Sequence, residues 1–249
     1  MFDEFYNTYP RYVTRMCRSA DALVTVSSSF VNMLRKYELN KFIYCLPNCV
    51  EYPKSFRKDL YHDKLRLVFI GRIDEVKGMY DILDCLYRYK DVLQDKVELH
   101  IGGVGDEIRF RRVIKDYDLS AMIVRHGWVK GDEKVDLFCS SDVFIHPSHF
   151  ESFGIAILEA MSYGLPVITT MIGGIPDFFE DMKSGIAVTP GNVDEIYNAI
   201  LLFVNNRFLI SQFGNHGREI AKRFTPAHVE QYLQEIYNNC NCKQLKNGY

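Results

Sequence analysis

"LRLVFIGRIDEVKGMYDILDCLYRYKDVL", residues 65–93, joins a short apolar run ending in glycine to a segment of different period. In the second part Met79, Ile82, Leu83, Leu86 and Leu93 recur at helical spacing. The same change of period repeats downstream. "KVELHIGG" (96–103) reads as a strand and "DEIRFRRVIKDYDL" (106–119) as an amphipathic helix. Further strands are expected at 122–129, 142–148, 166–171 and 186–189, with helices at 132–141, 153–163 and about 175–182. Strands alternating with helices of this length predict an α/β fold, a Rossmann-like parallel sheet with helices on both faces. From 192 to about 240 the chain reads as all helical. Asn192 and Glu195 have capping-box spacing, and Thr225-Pro226 marks a further helix start.

Residues 1–64 differ. "ADALVTVSSSFVNMLRKY" reads as strand, turn and helix, and "FIYCLPNCVEYP" as a strand ending in a Pro-Asn turn. About one βαβ unit is too small for a parallel sheet with its own core, so this part reads as the tail end of a truncated domain. The apolar face it would expose predicts self-association or a partner chain.

Composition excludes several classes. Of 249 residues, 47% are apolar and 25% charged, the balance of a soluble globular protein. A net charge of −2 leaves no basic footprint for nucleic acid. No apolar run approaches the roughly 18 residues of a membrane span, and the N-terminus lacks signal-peptide order. Seven cysteines, an odd number, are scattered without zinc spacing; Cys240 and Cys242 form an isolated C-x-C. Reduced thiols and a cytoplasmic location follow.

Several strand ends carry chemistry. After Gly71 come Arg72 and Lys77, two cations that either hold a phosphate or diphosphate or form a solvated pair. "IGGVGDEI" (101–108) forms a tight turn at Gly103 and Gly105. It lacks the third glycine and the later ribose-binding acid of a dinucleotide site, which argues against a nicotinamide-dependent dehydrogenase. Trp128, before Val129 in "HGWV", either stacks on a base or packs in the core.

"HFESFGIAILEAMSYGLPVITT" (149–170) places Glu151 and Glu159 eight residues apart around Gly154. Free N–H groups at a helix start near Ser152–Gly154 form an anion site. A rise of 1.5 Å per residue sets the two acids about 10–12 Å apart, too far for a hydrolytic pair at roughly 5–9.5 Å. They either face solvent or grip one elongated ligand at two places.

Taken together, "FIGRIDEVKG", "IGGVGDE", "HGWV" and "DVFIHPSHFESFGIAILEAMSYGLPVITT" resemble the donor-binding half of family-four GT-B glycosyltransferases over about 65–240. The resemblance divides the chain into a truncated N-terminal remnant and linker (1–64), a nucleotide-sugar donor-binding domain (65–225) and a C-terminal helix and tail (226–249). It implies a nucleotide-diphospho-sugar donor, transfer of a hexose-type sugar with retention, and a saccharide or lipid-linked acceptor, with no metal or other cofactor. By the same resemblance Arg72 and Lys77 would hold the diphosphate and stabilise the departing phosphate, and Glu151 would face the sugar, making these three the catalytic set. Ser152, Phe153, Gly154 and Ile155 would contact sugar and phosphate beside the turns at Gly71 and Gly103. Glu159 would bond the ribose, and Trp128 and Val129 would line the base pocket. A lipid-linked acceptor would bring the chain to the inner face of a membrane. The junction reads Asn48-Cys49-Val50-Glu51 where the family usually has Asn-Gly-Val-Asp. The family's N-terminal glycine-rich loop and histidine have no counterpart here. Both leave a second reading open: a donor-binding subunit or inactive remnant completed by a partner chain.

Overall fold

The computed structural model describes residues 6–56 and 62–244. An N-terminal unit comprises α1 (Pro10–Ser19), β1 (Leu23–Thr25), α2 (Ser28–Lys36) and β2 (Ile43–Cys45). Strands β1 and β2 pair in parallel around a small cluster of Val13, Cys17 and Leu39. Helix α1, absent from the sequence expectation, begins at Pro10, whose missing N–H costs nothing at a first turn.

The larger unit runs β3 (Leu65–Ile70), α3 (Met79–Arg88), α4 (Lys90–Leu93), β4 (Val97–Gly102), α5 (Glu107–Asp116) and β5 (Ile123–Gly127). It continues with α6 (Asp132–Cys139), β6 (Val143–His146), α7 (Ile155–Ser162), β7 (Val167–Thr169) and β8 (Gly185–Ala187). Three helices close it: α8 (Val193–Asn205), α9 (Phe208–Ala221) and α10 (Pro226–Gln244). All strand pairings in its sheet are parallel, in the order β5-β4-β3-β6-β7-β8. The chain thus winds outward from β3, returns, and winds the other way from β6, the doubly wound arrangement.

Alternate residues of each central strand serve two cores. Leu65, Leu67 and Phe69 of β3 join Ile82, Leu83 and Leu86 of α3 and Ile196, Ile200 and Phe203 of α8 on one face. Val68 and Ile70 join Phe138 of α6, Ile157 and Leu158 of α7 and Ile220 of α9 on the other. Both faces being covered explains why β3 reads as a continuous apolar run rather than an alternating one.

One expectation fails in this unit. Residues 175–182 form only a 3-10 turn, Ile175–Asp177. The backbone turns back at Met182, with φ 57°, to feed β8 before a helix could extend. The capping box holds in modified form. Asn192 Oδ1 accepts from Glu195 N–H at 3.1 Å, while the Glu195 carboxylate accepts from Thr189 N–H instead of the Asn192 backbone.

The two units are joined at several points. Val50 N–H donates to the Phe224 carbonyl at 2.9 Å, and Tyr52 packs against the second core. Ser27 leaves the start of α2 without a side-chain cap of its own. Asp177 supplies one from 149 residues away, accepting from Ser28 N–H at 2.8 Å and from the Ser28 hydroxyl.

Candidate functional site

In a doubly wound sheet the two strands that diverge in connection leave a crevice beyond their carboxyl ends. Here those strands are β3 and β6, and a cleft of about 330 Å³ lies there. Its lining comes from the end of β3 (Ile70, Gly71), Lys77, the end of β6 (His146), residues 151–157, and Asn48 from the junction. The loop after β3 is fixed by Asp74, whose carboxylate accepts from Lys77 N–H at 2.9 Å and pairs with the Arg72 guanidinium.

Lys77 Nζ lies 2.6 Å from Glu151 Oε2, with the side chains only 23% and 12% exposed. A cation and a carboxylate held together inside a cleft offer a bound ligand both a donor and an acceptor, each already desolvated by its partner. Beside them α7 begins at Ile155. Its N-cap is Gly154, with φ 101° and no side chain to occupy the helix start. The N–H groups of the first turn therefore face the cleft along Ile155, Ala156 and Ile157. The Glu151 backbone is packed so tightly that a Cβ on Gly173, itself at φ 57°, would lie 1.5 Å from the Glu151 carbonyl oxygen. Only glycine fits there.

The remaining sequence candidates fall around this cleft. Glu159, on the second turn of α7, pairs with Lys134 of α6 at 2.6 Å and lies outside the cleft lining. Arg72 is 65% exposed, is paired with Asp74, and like Glu159 lies outside the cleft lining. Gly103 abuts the Gly71 carbonyl, placing the end of β4 beside that of β3. Trp128 is 68% exposed, which removes the core reading of this residue, whereas Val129 is buried in the second core. Among the described residues no cluster of three or more His, Cys, Asp or Glu is placed to hold a metal. The Cys242 side chain lies outside the described residues.

Three polar residues of this neighbourhood have no place among the sequence candidates: Asn48, Lys134 and His146. The rings of Phe69 and Phe144 flank His146, at centroid distances of 5.0 and 5.8 Å. Burial, with the Lys77 charge adding to it, holds its pKa down at about 3. Cys85, on the buried face of α3, is pushed up to about 12 by burial and is an inert thiol.

Fold and cleft define a doubly wound α/β protein with a crevice, lined by an ion pair and a helix start, at the point where the sheet reverses. Residues 52–220 match the family model described as glycosyl transferases group 1. The chain belongs to that family. It is similar to the sulfoquinovosyl transferase SQD2 of Arabidopsis thaliana, at 29% identity over 184 residues, covering 70% of this chain and 34% of that protein. It is also similar to the phosphatidylinositol N-acetylglucosaminyltransferase GPI3 subunit of Saccharomyces cerevisiae, at 29% identity over 243 residues, covering 92% of this chain and 53% of that one. Among solved structures, S. aureus TarM, in a complex that includes UDP, shares the fold with a TM-score of 0.78 at 21% identity, covering 92% of this chain and 46% of that one. The chain thus spans between about a third and a half of the length of these proteins.

Proposed function

We propose that the chain is the donor-binding part of a glycosyltransferase that takes a nucleotide-diphospho-sugar and transfers a hexose-type sugar, with retention, to a saccharide or lipid-linked acceptor. The observation that carries this reading is the Lys77–Glu151 pair beside the uncapped start of α7, at the crevice of the sheet. As the bond from the sugar to the diphosphate breaks, negative charge grows on the departing phosphate. Lys77, Arg72 and the α7 N–H groups answer that charge without reorganising, which is why the reading needs no metal. Glu151, held by Lys77, accepts hydrogen bonds from sugar hydroxyls. Glu159, held by Lys134, does the same for the ribose, and exposed Trp128 offers the base a stacking face.

Titration calorimetry with UDP tests this. Glu159→Ala is expected to weaken binding about tenfold, the worth of hydrogen bonds to a charged acceptor. Unchanged affinity would remove the ribose role. Lys77→Ala is expected to cost more, because it also leaves the Glu151 carboxylate without its partner.

A second reading is favoured by one specific observation. The chain covers about half of the yeast relative, itself named as a subunit. Under this reading the chain binds donor and transfers sugar only with a partner chain or a second copy supplying the acceptor side. Size measurement together with a turnover assay separates the two. A monomer that transfers or hydrolyses donor sugar unaided excludes the second.

A further inference from the structure

Within the cleft, His146 is unlike its neighbours. It lines the floor at the end of β6, yet it is only 2% exposed, and neither ring nitrogen has a hydrogen-bond partner. Two residues on, the Ser148 hydroxyl is also buried without a partner. Buried polar groups are ordinarily paired, so an unpartnered ring at the floor of a crevice marks a place where an incoming group makes the missing bond.

The surroundings define that group. A Cβ on Gly71 would lie 3.3 Å from His146 Cε1, so nothing larger than glycine separates the ring from the end of β3. Lys77 and the N–H groups at the start of α7 line the same crevice. These are donors, with the Glu151 carboxylate an acceptor already held by Lys77 in the same lining, and the group the donors converge on is an acceptor with several oxygens. We propose that His146 is a phosphate ligand, one ring N–H donating to a diphosphate oxygen of the nucleotide sugar. The assignment rests on the nucleotide-sugar reading above and adds to it a buried, uncharged donor in the crevice lining. Burial beside Lys77 keeps the imidazole neutral, so it contributes direction without a second buried positive charge.

The test uses the 249-residue chain and UDP as probe. His146→Phe preserves an aromatic ring and removes both nitrogens, and His146→Gln restores an N–H donor. Calorimetry is expected to give about 10- to 100-fold weaker UDP binding for the phenylalanine variant, and a smaller loss for the glutamine variant. In the wild-type chain, labelled with ¹⁵N-histidine, the His146 ring resonances are expected to shift on adding UDP, a readout that does not depend on either variant folding. UDP binding to His146→Phe as tightly as to wild type, or wild-type binding that leaves those resonances in place, overturns the assignment. If Glu159→Ala still weakens binding in that case, the nucleotide-sugar reading stands without His146. A wild-type chain that binds none of UDP, GDP or ADP removes both. Inorganic pyrophosphate binding as tightly as UDP would make this a general phosphate site and overturn the nucleotide assignment.

Discussion

A single histidine in the floor of the crevice links ligand recognition to acid stability. In the unfolded chain His146 takes up a proton near its ordinary value of 6.5, whereas in the fold burial and Lys77 delay this to about 3. Between those values the unfolded state binds more protons, so folding stability falls as pH drops below 6.5, by about 1.4 kcal/mol per pH unit. His146→Phe removes this term. Urea unfolding is expected to show it losing about 2 kcal/mol less than wild type between pH 7 and pH 5. An identical acid limb in both proteins would place the sensitivity elsewhere. Nothing in the run "DVFIHPS" marks His146 as more than the end of a buried strand. Its meaning depends on β6 lying beside β3, a pairing between segments more than seventy residues apart. Lys134 was illegible for a similar reason, since its target on α7 depends on how α6 crosses the sheet. Lys77, Glu151 and Gly154 were readable because each sits where a strand gives way to a helix, and such positions converge in any open parallel sheet.

Element boundaries were largely written in the local pattern. The buried positions Met79, Ile82, Leu83 and Leu86 keep the spacing that predicted α3, and the strand at 65–70 is apolar because both of its faces are covered. The helix expected at 175–182 failed because the return of the chain to β8 outweighed residues that a helix would otherwise tolerate. Packing between elements was less visible. Helix α9 crosses α7 at close range through glycines that look like poor helix residues in isolation. A Cβ on Gly214 would lie 2.1 Å from the Gly164 carbonyl oxygen. Gly214→Val is therefore expected to push α9 outward and destabilise the fold by about 1–3 kcal/mol, read as a lower thermal midpoint. Gain or no change would mean that the crossing has slack. The same helix carries Arg218, which donates at 2.6 Å to the Pro53 carbonyl and lies over the rings of Tyr52 and Phe56. Arg218→Ala is expected to cost about 2–3 kcal/mol by freeing that segment from the second core.

For the molecule as a whole, the N-terminal unit and the large sheet meet through few polar contacts, and Asp177 is the most directional of them. Its carboxylate caps α2 across the boundary, work that Ser27 does not do locally. Asp177→Ala is expected to lower stability by about 1 kcal/mol, the usual worth of an N-cap. Amide hydrogen exchange should quicken in α2 and stay unchanged in β3; equal quickening in both would mean the two units unfold as one.

The crevice also sets a schedule for biosynthesis. Lys77 leaves the ribosome 74 residues before Glu151, and Gly173, against which the Glu151 backbone is wedged, follows later still. The half of the sheet from β3 to β5 is complete in sequence before β6 exists, so for a stretch of translation its central strand has an open flank. At about 5–20 residues per second that interval lasts about one to three seconds. The crevice lining is complete only once residue 157 has been made, so a chain interrupted before β6 carries the β3–β5 half of the sheet and no crevice.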